Sequence, residues 1–274
     1  MTESLFGMNG WQRNNVNDKE DEVTMKQELW NLRYRKDPSW KITKQWNEEE
    51  KLYSLQERIE NVLDIGCGEG SYLRGWIKKK VFSVGVDISS EAIRQAMADT
   101  DPACRHLCRW YVSDWEKDNV VSRGWDKKFD LVYSAMGPDM EAQVSFEKLL
   151  SVSKKYCRLV VFKNGENTVV NKVKDFFQRY GVQDSVIMEV TGAAPERLLK
   201  KIEAYGYVPQ AEDILYRVEW QQSSMEWEEY LSNVHYPNVP KIKIQQALRN
   251  IFGFRDSVTS RTCAYYTMIT WEVG

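Results

Sequence analysis

Short apolar runs alternate with amphipathic stretches through the middle of the chain. The apolar runs predict buried strands at 61–65, 81–86, 109–113, 129–134 and 157–162. Helical spacing of apolar residues predicts helices over 71–80, 89–100 and 141–155, the second of them capped by Ser89. Strands that alternate with helices predict an α/β fold, a Rossmann-like and mostly parallel sheet with helices on both faces.

The regions on either side of this pattern are less regular. Residues 1–22 are polar and predict a flexible arm, and residues 23–60 have the spacing of an aromatic-rich helical leader. After the fifth strand, helices are expected over 169–180 and 194–205, and strands over 214–220 and 264–273. Two further helices within 223–254 are separated by a segment that contains His235, Pro237 and Pro240.

This organisation predicts four parts of the chain. They are an arm and leader at 1–60, a core at 61–222, a helical insert or lid at 223–258, and the final strand of the core at 259–274.

Composition and charge narrow the class of protein. Of 274 residues, 42% are hydrophobic and 28% are charged, which is ordinary for a soluble globular chain. No apolar run approaches the roughly 18 residues of a membrane span, so no membrane partner is expected. The five cysteines are scattered and no signal peptide is apparent, which favours reduced thiols in the cytoplasm. A net charge of −2 supplies no general attraction to nucleic acid.

A glycine-rich turn follows the first strand, in the sequence VLDIGCGEG at 62–70. Glycines allow a tight turn and let a ligand approach the backbone. Ser71 stands where the dinucleotide-binding pattern would have its third glycine, and no Gly-Lys-Ser/Thr follows, so the turn differs from both common phosphate-binding motifs. Asp64, two residues before the first glycine, suits a ligand with an ammonium group and can also order the turn.

Acidic residues also follow the second and third strands. Asp87 ends VGVD and could accept hydrogen bonds from a ribose diol. Asp114 could accept from an adenine amino group, with Trp115 against the ring. The end of the fourth strand, SAMGP at 134–138, should lie beside the glycine turn, at the carboxyl edge where open α/β sheets bind ligands.

Taken in order, VLDIGCGEG, VGVDIS, SDW and FDLVYSAMG resemble the class I S-adenosylmethionine-dependent methyltransferases over about 61–162. The resemblance implies a seven-stranded sheet whose final strand is antiparallel, and S-adenosylmethionine as cofactor. It implies that the glycines line the methionine part, Asp64 lies near the amino group, Asp87 binds the ribose, and Ile88 packs on the base. The candidate cofactor-binding residues are Asp64, Gly66, Cys67, Gly68, Gly70, Asp87, Ile88, Ser113, Asp114, Trp115, Ala135 and Met136, with Trp30 and Tyr34 of the leader folding over the cofactor.

The chain departs from some subfamilies of this family. The Asn/Asp-Pro-Pro-Tyr/Phe signature of many base and glutamine N-methyltransferases would fall near 134–137 and is absent, which disfavours that amino-methylating mechanism. No catalytic base is evident, and Tyr133, Asp139 and His235 are weak candidates. Cys104, His106 and Cys108 lack a fourth ligand for zinc, so no metal is expected.

Three functions stay open at this point. The first is a methyltransferase that acts on a small-molecule acceptor, which the helical insert, the aromatic content and the charge favour. The second is a methyltransferase that acts on RNA or protein, with basic and aromatic residues along 241–261 as its surface. The third is a non-catalytic S-adenosylmethionine-binding scaffold. The oligomeric state is not indicated by the sequence.

Overall fold

The computed structural model describes residues 24–28, 30–31, 34, 49–55, 58–181, 194–236 and 238–274. The arm predicted at 1–22 lies outside the described residues. Within them, no helix has the length and apolar character needed to cross a membrane.

The described part of the chain contains one seven-stranded sheet. Its strands are β1 (Asn61–Ile65), β2 (Phe82–Asp87), β3 (Cys108–Val112), β4 (Phe129–Ala135), β5 (Ser153–Asn167), β6 (Gln210–Ser223) and β7 (Ser257–Glu272). Their order across the sheet is β3-β2-β1-β4-β5-β7-β6, and β1 to β5 pair in parallel. This order confirms the predicted Rossmann-like architecture.

The last strand runs against its neighbours, as the resemblance implies. Next to β5, Val273 donates its N–H to the Lys155 carbonyl at 2.8 Å, and Thr270 accepts a hydrogen bond from Arg158. Next to β6, Thr267 donates to Asp213 and Gln221 donates to Ser257. Later residues of β7 therefore lie beside earlier residues of β5 and β6, so β7 is antiparallel to both strands.

The helices follow the predicted pattern with shifts at their ends. Leader residues 24–28, 30–31 and 34 are helical. The helices that follow are α1 (Glu49–Leu52), α2 (Ser71–Lys78), α3 (Ser90–Ala98), α4 (Gln143–Val152), α5 (Thr168–Arg179), α6 (Pro195–Ala204), α7 (Ser224–Tyr230) and α8 (Lys241–Phe252). A 3-10 helix spans Pro102–Leu107 and a π-helix spans Leu231–His235. Ser89 caps α3 as predicted, because its side chain accepts the Ala92 N–H.

Several predicted segments differ from the structure. The strands predicted at 214–220 and 264–273 are longer, as β6 (Gln210–Ser223) and β7 (Ser257–Glu272). The leader was expected to stay helical to residue 60, but α1 ends at Leu52, and the described residues 53–55 and 58–60 are not helical. The reason is the guanidinium of Arg158, which takes the carbonyl oxygens of Lys51, Leu52 and Ser54. The fifth strand is longer than 157–162, because its polar outer residues interrupt the apolar run without ending the ladder.

The contacts divide the described chain into two units. The larger unit contains the residues up to 163 together with 194–214 and 266–274, and its core includes Leu63, Ile65, Phe129 and Phe146. The smaller unit contains 164–181 and 215–265, and its core includes Val173, Phe177, Trp227 and Ile244. The predicted insert at 223–258 falls within the residues of the smaller unit.

Candidate functional site

The glycine turn between β1 and α2 is a cradle that a side chain would fill. Gly66, Gly68 and Gly70 have φ of 75°, 54° and 76°, in the left-handed region that favours glycine. A Cβ on Gly66 would lie 2.7 Å from the Gly137 Cα, and one on Gly68 would overlap with the Tyr34 hydroxyl. The sequence therefore needs glycine here both for the backbone conformation and for the close approach.

Asp87, at the end of β2, ties the turn to the next helix. Its Oδ2 accepts the Gly68 N–H at 2.9 Å, and its Oδ1 accepts the Ser89 N–H at 2.8 Å. Burial raises the pKa of the Asp87 carboxyl, and these two backbone hydrogen bonds oppose the rise. Each carboxylate oxygen has a further lone pair, so Asp87 can still accept hydrogen bonds from a ligand.

Asp64 and Cys67 lie on the inner side of the turn. Asp64 is fully buried in β1, and the Cys67 N–H donates to the Val86 carbonyl at 3.1 Å. Burial, followed by the charges of Asp64 and Asp87, raises the pKa of the Cys67 thiol well above its ordinary value. Cys67 is therefore a protonated packing residue and a poor nucleophile.

The ends of β2 and β3 form the next wall. The Ser113 N–H donates to the Asp87 carbonyl at 2.8 Å, which holds the two strand ends together. Ile88 and Asp114 are both half-buried there, and the Asp114 carboxylate accepts the Glu116 N–H at 3.1 Å.

Trp115 points elsewhere. Its side chain is 3% exposed, belongs to the core of the larger unit, and donates from Nε1 to the Ser145 carbonyl at 3.1 Å. The structure therefore gives this indole a packing role and leaves little of its ring exposed to a ligand.

The end of β4 lies against the glycine turn, in agreement with the sequence. Ser134 donates to the Ile65 carbonyl at 2.8 Å, and Gly137 packs so closely that a Cβ there would overlap with that oxygen. Ala135 is buried, whereas Met136 is 39% exposed and has a φ of 52°. A non-glycine residue in this conformation is strained, and such residues concentrate at functional sites.

Residues of the helical leader contact the segment that joins β2 to α3. Asn31 is buried, and its Oδ1 accepts the Ser89 hydroxyl at 2.8 Å and the Glu91 N–H at 3.2 Å. Gln27 donates to the Ile88 carbonyl at 2.9 Å. Trp30 is half-buried in the same helical stretch. The sequence reasoning missed Asn31 and Gln27, because an amide in a polar helix carries no signal of its distant partner.

The three weak catalytic candidates have different surroundings. Tyr133 is 2% exposed, and burial followed by the Asp64 charge raises the pKa of its hydroxyl well above the ordinary value. Asp139 is exposed and accepts the Glu141 N–H at 2.7 Å. His235 belongs to the smaller unit, and burial lowers its pKa to about 4. Neither Tyr133 nor His235 has the pKa of a general base that works near neutral pH.

Comparisons with known proteins show which domain and which fold the chain resembles. Residues 62–158 match a family model described as a methyltransferase domain. No curated protein matches the chain. A structure from Anaeromyxobacter dehalogenans, described as a candidate type II methyltransferase, is 16% identical with a TM-score of 0.53, and the match covers 84% of this chain and 97% of that one.

Two further structures have the same fold. One was solved in work on the conversion of a disulfide bond into a thioacetal group during echinomycin biosynthesis, with 16% identity, a TM-score of 0.51, and coverage of 90% and 94%. The other, a candidate methyltransferase from Bacillus halodurans C-125, has 16% identity, a TM-score of 0.50, and coverage of 83% and 99%.

Proposed function

We propose that the chain is a class I S-adenosylmethionine-dependent methyltransferase and that it transfers a methyl group to a small-molecule acceptor, which the match of residues 62–158 to a methyltransferase domain supports. The observation that carries the proposal is the Asp87 carboxylate, which accepts the backbone N–H groups of Gly68 and Ser89 at 2.9 and 2.8 Å. This carboxylate is therefore fixed beside the glycine turn, and its oxygens can accept further hydrogen bonds from a ligand.

The residues around the turn fit S-adenosylmethionine. The cradle at Gly66, Gly68 and Gly70 would take the methionine part, with Asp64 near the amino group. Asp87 would accept from the ribose hydroxyls, while Ile88, Ser113 and Asp114 would adjoin the adenine. We leave Trp115 out of this set because its ring is committed to the core.

When bound, the cofactor supplies a methyl group that is already activated on a positively charged sulfur. The protein then has to align the acceptor and exclude water, and a strong base is needed only for acceptors that carry a proton. Tyr34, over Gly68, is suited to exclude water. Met136, exposed at the end of β4, is suited to contact the reacting groups.

A small-molecule acceptor is supported by the net charge and by the aromatic content of the chain. The chain carries 38 basic and 40 acidic side chains, so it lacks the general attraction for phosphates that RNA-binding enzymes use. Aromatic residues make up 12% of the chain, a content that suits an enclosed pocket for an apolar or aromatic acceptor.

Titration calorimetry tests the cofactor assignment. S-Adenosylmethionine and S-adenosylhomocysteine should bind in the micromolar range, and NAD should not bind. Asp87→Ala should weaken binding by about 1.5–3 kcal/mol, the usual value of hydrogen bonds to a charged group. Asp126→Ala, at an exposed aspartate of the same unit, is the matched control and should bind as the wild type does.

Labelled methyl groups then test the acceptor. Transfer to components of a small-molecule mixture would support the proposal. Transfer to RNA or protein alone would show that the acceptor is a macromolecule instead of a small molecule. Binding without any transfer would favour the non-catalytic scaffold. Unchanged affinity in a folded Asp87→Ala variant would refute the ribose assignment.

A further inference from the structure

A row of buried polar side chains crosses one face of the sheet in the larger unit. In register, Asp64 on β1 pairs with Tyr133 on β4, and Tyr133 pairs with Arg158 on β5. Residues opposite each other on parallel strands project to the same face. These three side chains are 0%, 2% and 3% exposed, so an acid, a phenol and a guanidinium are buried side by side.

Arg158 anchors the end of the leader. It donates from Nη1 to the Leu52 and Lys51 carbonyls at 2.7 and 3.2 Å, and from Nη2 to the Ser54 carbonyl at 2.9 Å. Its Nε donates to Thr270 at 2.9 Å. All of these partners are neutral oxygens. The acid nearest to Arg158 in the row is Asp64, two strands away, which corresponds to about 10 Å at normal strand spacing.

Tyr133 stands between these two charges. Its hydroxyl is buried and has no hydrogen-bond partner among the described residues. Burial raises the pKa of this hydroxyl most, the Asp64 charge raises it further and the Arg158 charge lowers it, so both charged groups act on the same atom. The Tyr133 ring lies 5.4 Å from that of Tyr72, the second residue of α2, which follows the glycine turn. Leaving a hydroxyl buried without a partner is costly, and such an atom is ready to gain one.

We propose that Tyr133 and Arg158 are positioning residues that couple the docking of residues 51–54 to cofactor binding at Asp64. The proposal rests on the proposed function, because it assigns the ligand at the glycine turn to S-adenosylmethionine. Arg158 holds the segment, Asp64 responds to the ammonium group of the ligand, and the Tyr133 hydroxyl links the two. Neither Tyr133 nor Arg158 takes part in the methyl transfer.

A double-mutant cycle measures the link between Tyr133 and Asp64. The variants are Tyr133→Phe, Asp64→Asn and the pair, and the readout is the Kd for S-adenosylhomocysteine. Each single variant should weaken binding on the order of tenfold, and the pair should be no worse than Asp64→Asn alone. Tyr111→Phe is the matched control, since its ring packs against Trp125 in the core and should not affect the Kd. Wild-type affinity in Tyr133→Phe, or independent effects that multiply, would overturn the link.

Hydrogen exchange measures the link to the leader. S-Adenosylhomocysteine should slow amide exchange in peptides covering 49–55 of the wild type, and Tyr133→Phe should lose this protection while keeping its Tm. Arg158→Lys should speed exchange there in the ligand-free protein. Binding with unchanged exchange at 49–55 would overturn the coupling and leave the proposed function standing. A wild type that does not bind the ligand would overturn both.

Discussion

The Tyr34 hydroxyl lies over Gly68, so close that a methyl group on this glycine would overlap with it. Gly68 is also the residue whose N–H is held by Asp87. The leader and the end of β2 therefore meet at a single backbone position in the glycine turn. Because Gln95 donates to the Tyr34 carbonyl at 3.1 Å, the covering residue is itself held by α3.

Removing this cover should weaken cofactor binding. We expect Tyr34→Ala to raise the Kd for S-adenosylhomocysteine roughly tenfold, by loss of apolar contact and admission of water. The dissociation rate, measured by stopped flow, should account for most of the change. Tyr180→Ala, at a tyrosine that is 70% exposed in the smaller unit, should bind as the wild type does. Equal affinities in the two variants would show that the leader does not cover the ligand.

Because β4 lies so close to the glycine turn, substitution of two glycines by alanine should lower the free energy of unfolding by different amounts. Gly137→Ala would press a Cβ against the Ile65 carbonyl, and should lower the free energy of unfolding by about 1–3 kcal/mol. Gly124 has a φ of +63° and open space around it, so Gly124→Ala should cost only about 1 kcal/mol of backbone strain.

Ligand affinity separates these two variants further. Only Gly137→Ala distorts the wall of the glycine turn, so only this variant should also lose affinity for S-adenosylhomocysteine. Urea unfolding and calorimetry on both proteins check the pair. If Gly137→Ala bound normally despite its lower stability, the end of β4 would not belong to the site.

Much of the fold could be predicted because its signals are local. The strand at 61–65 was predicted with its observed ends, since an apolar run stops at glycines that the chain needs for a turn. The Ser89 cap was also visible in the sequence, because a cap and its helix are adjacent. Signals of this kind determine the strands and the glycine turn between β1 and α2.

The parts that were missed depend on contacts between distant residues. Arg158 lies within an apolar run, and nothing near it in sequence indicates that it ends α1 by binding three carbonyl groups. Trp115 follows Asp114 directly, yet its indole turns into the core to reach Ser145, thirty residues further along. Adjacency in sequence predicts a shared location, but the direction of each side chain is decided by packing.

The strained Met136 backbone predicts opposite effects on stability and binding. Met136→Gly should relieve a φ of 52° and leave the protein equally or more stable, by up to about 1 kcal/mol, while weakening ligand binding. Lys80→Gly relieves a φ of 64° at the end of α2 and serves as the control, with a similar gain and no change in affinity. Tm and the Kd for S-adenosylhomocysteine test both variants, and a normal Kd in Met136→Gly would remove this residue from the site.

The lowered pKa of His235 makes the free energy of unfolding depend on pH. Burial lowers its pKa to about 4 in the folded protein, whereas an unfolded histidine titrates near 6.5. Between these values the unfolded chain binds a proton that the folded chain does not. The stabilising contribution is therefore complete above about pH 6.5 and is lost as the pH falls toward 4, by at most about 3–4 kcal/mol.

His235→Gln isolates this contribution, because the chain has only one other histidine. Urea unfolding at several pH values from 7.5 to 4.5 should give a flatter dependence for His235→Gln than for the wild type. His106→Gln, in the exposed 3-10 helix, should retain the wild-type slope. Carboxylates also titrate in this pH range in all three proteins. The contribution of His235 is therefore read from the difference between the pH slopes of the variants and of the wild type. Identical slopes for the wild type and His235→Gln would mean that this imidazole is hydrated in solution, and would reopen its candidacy as a base near neutral pH.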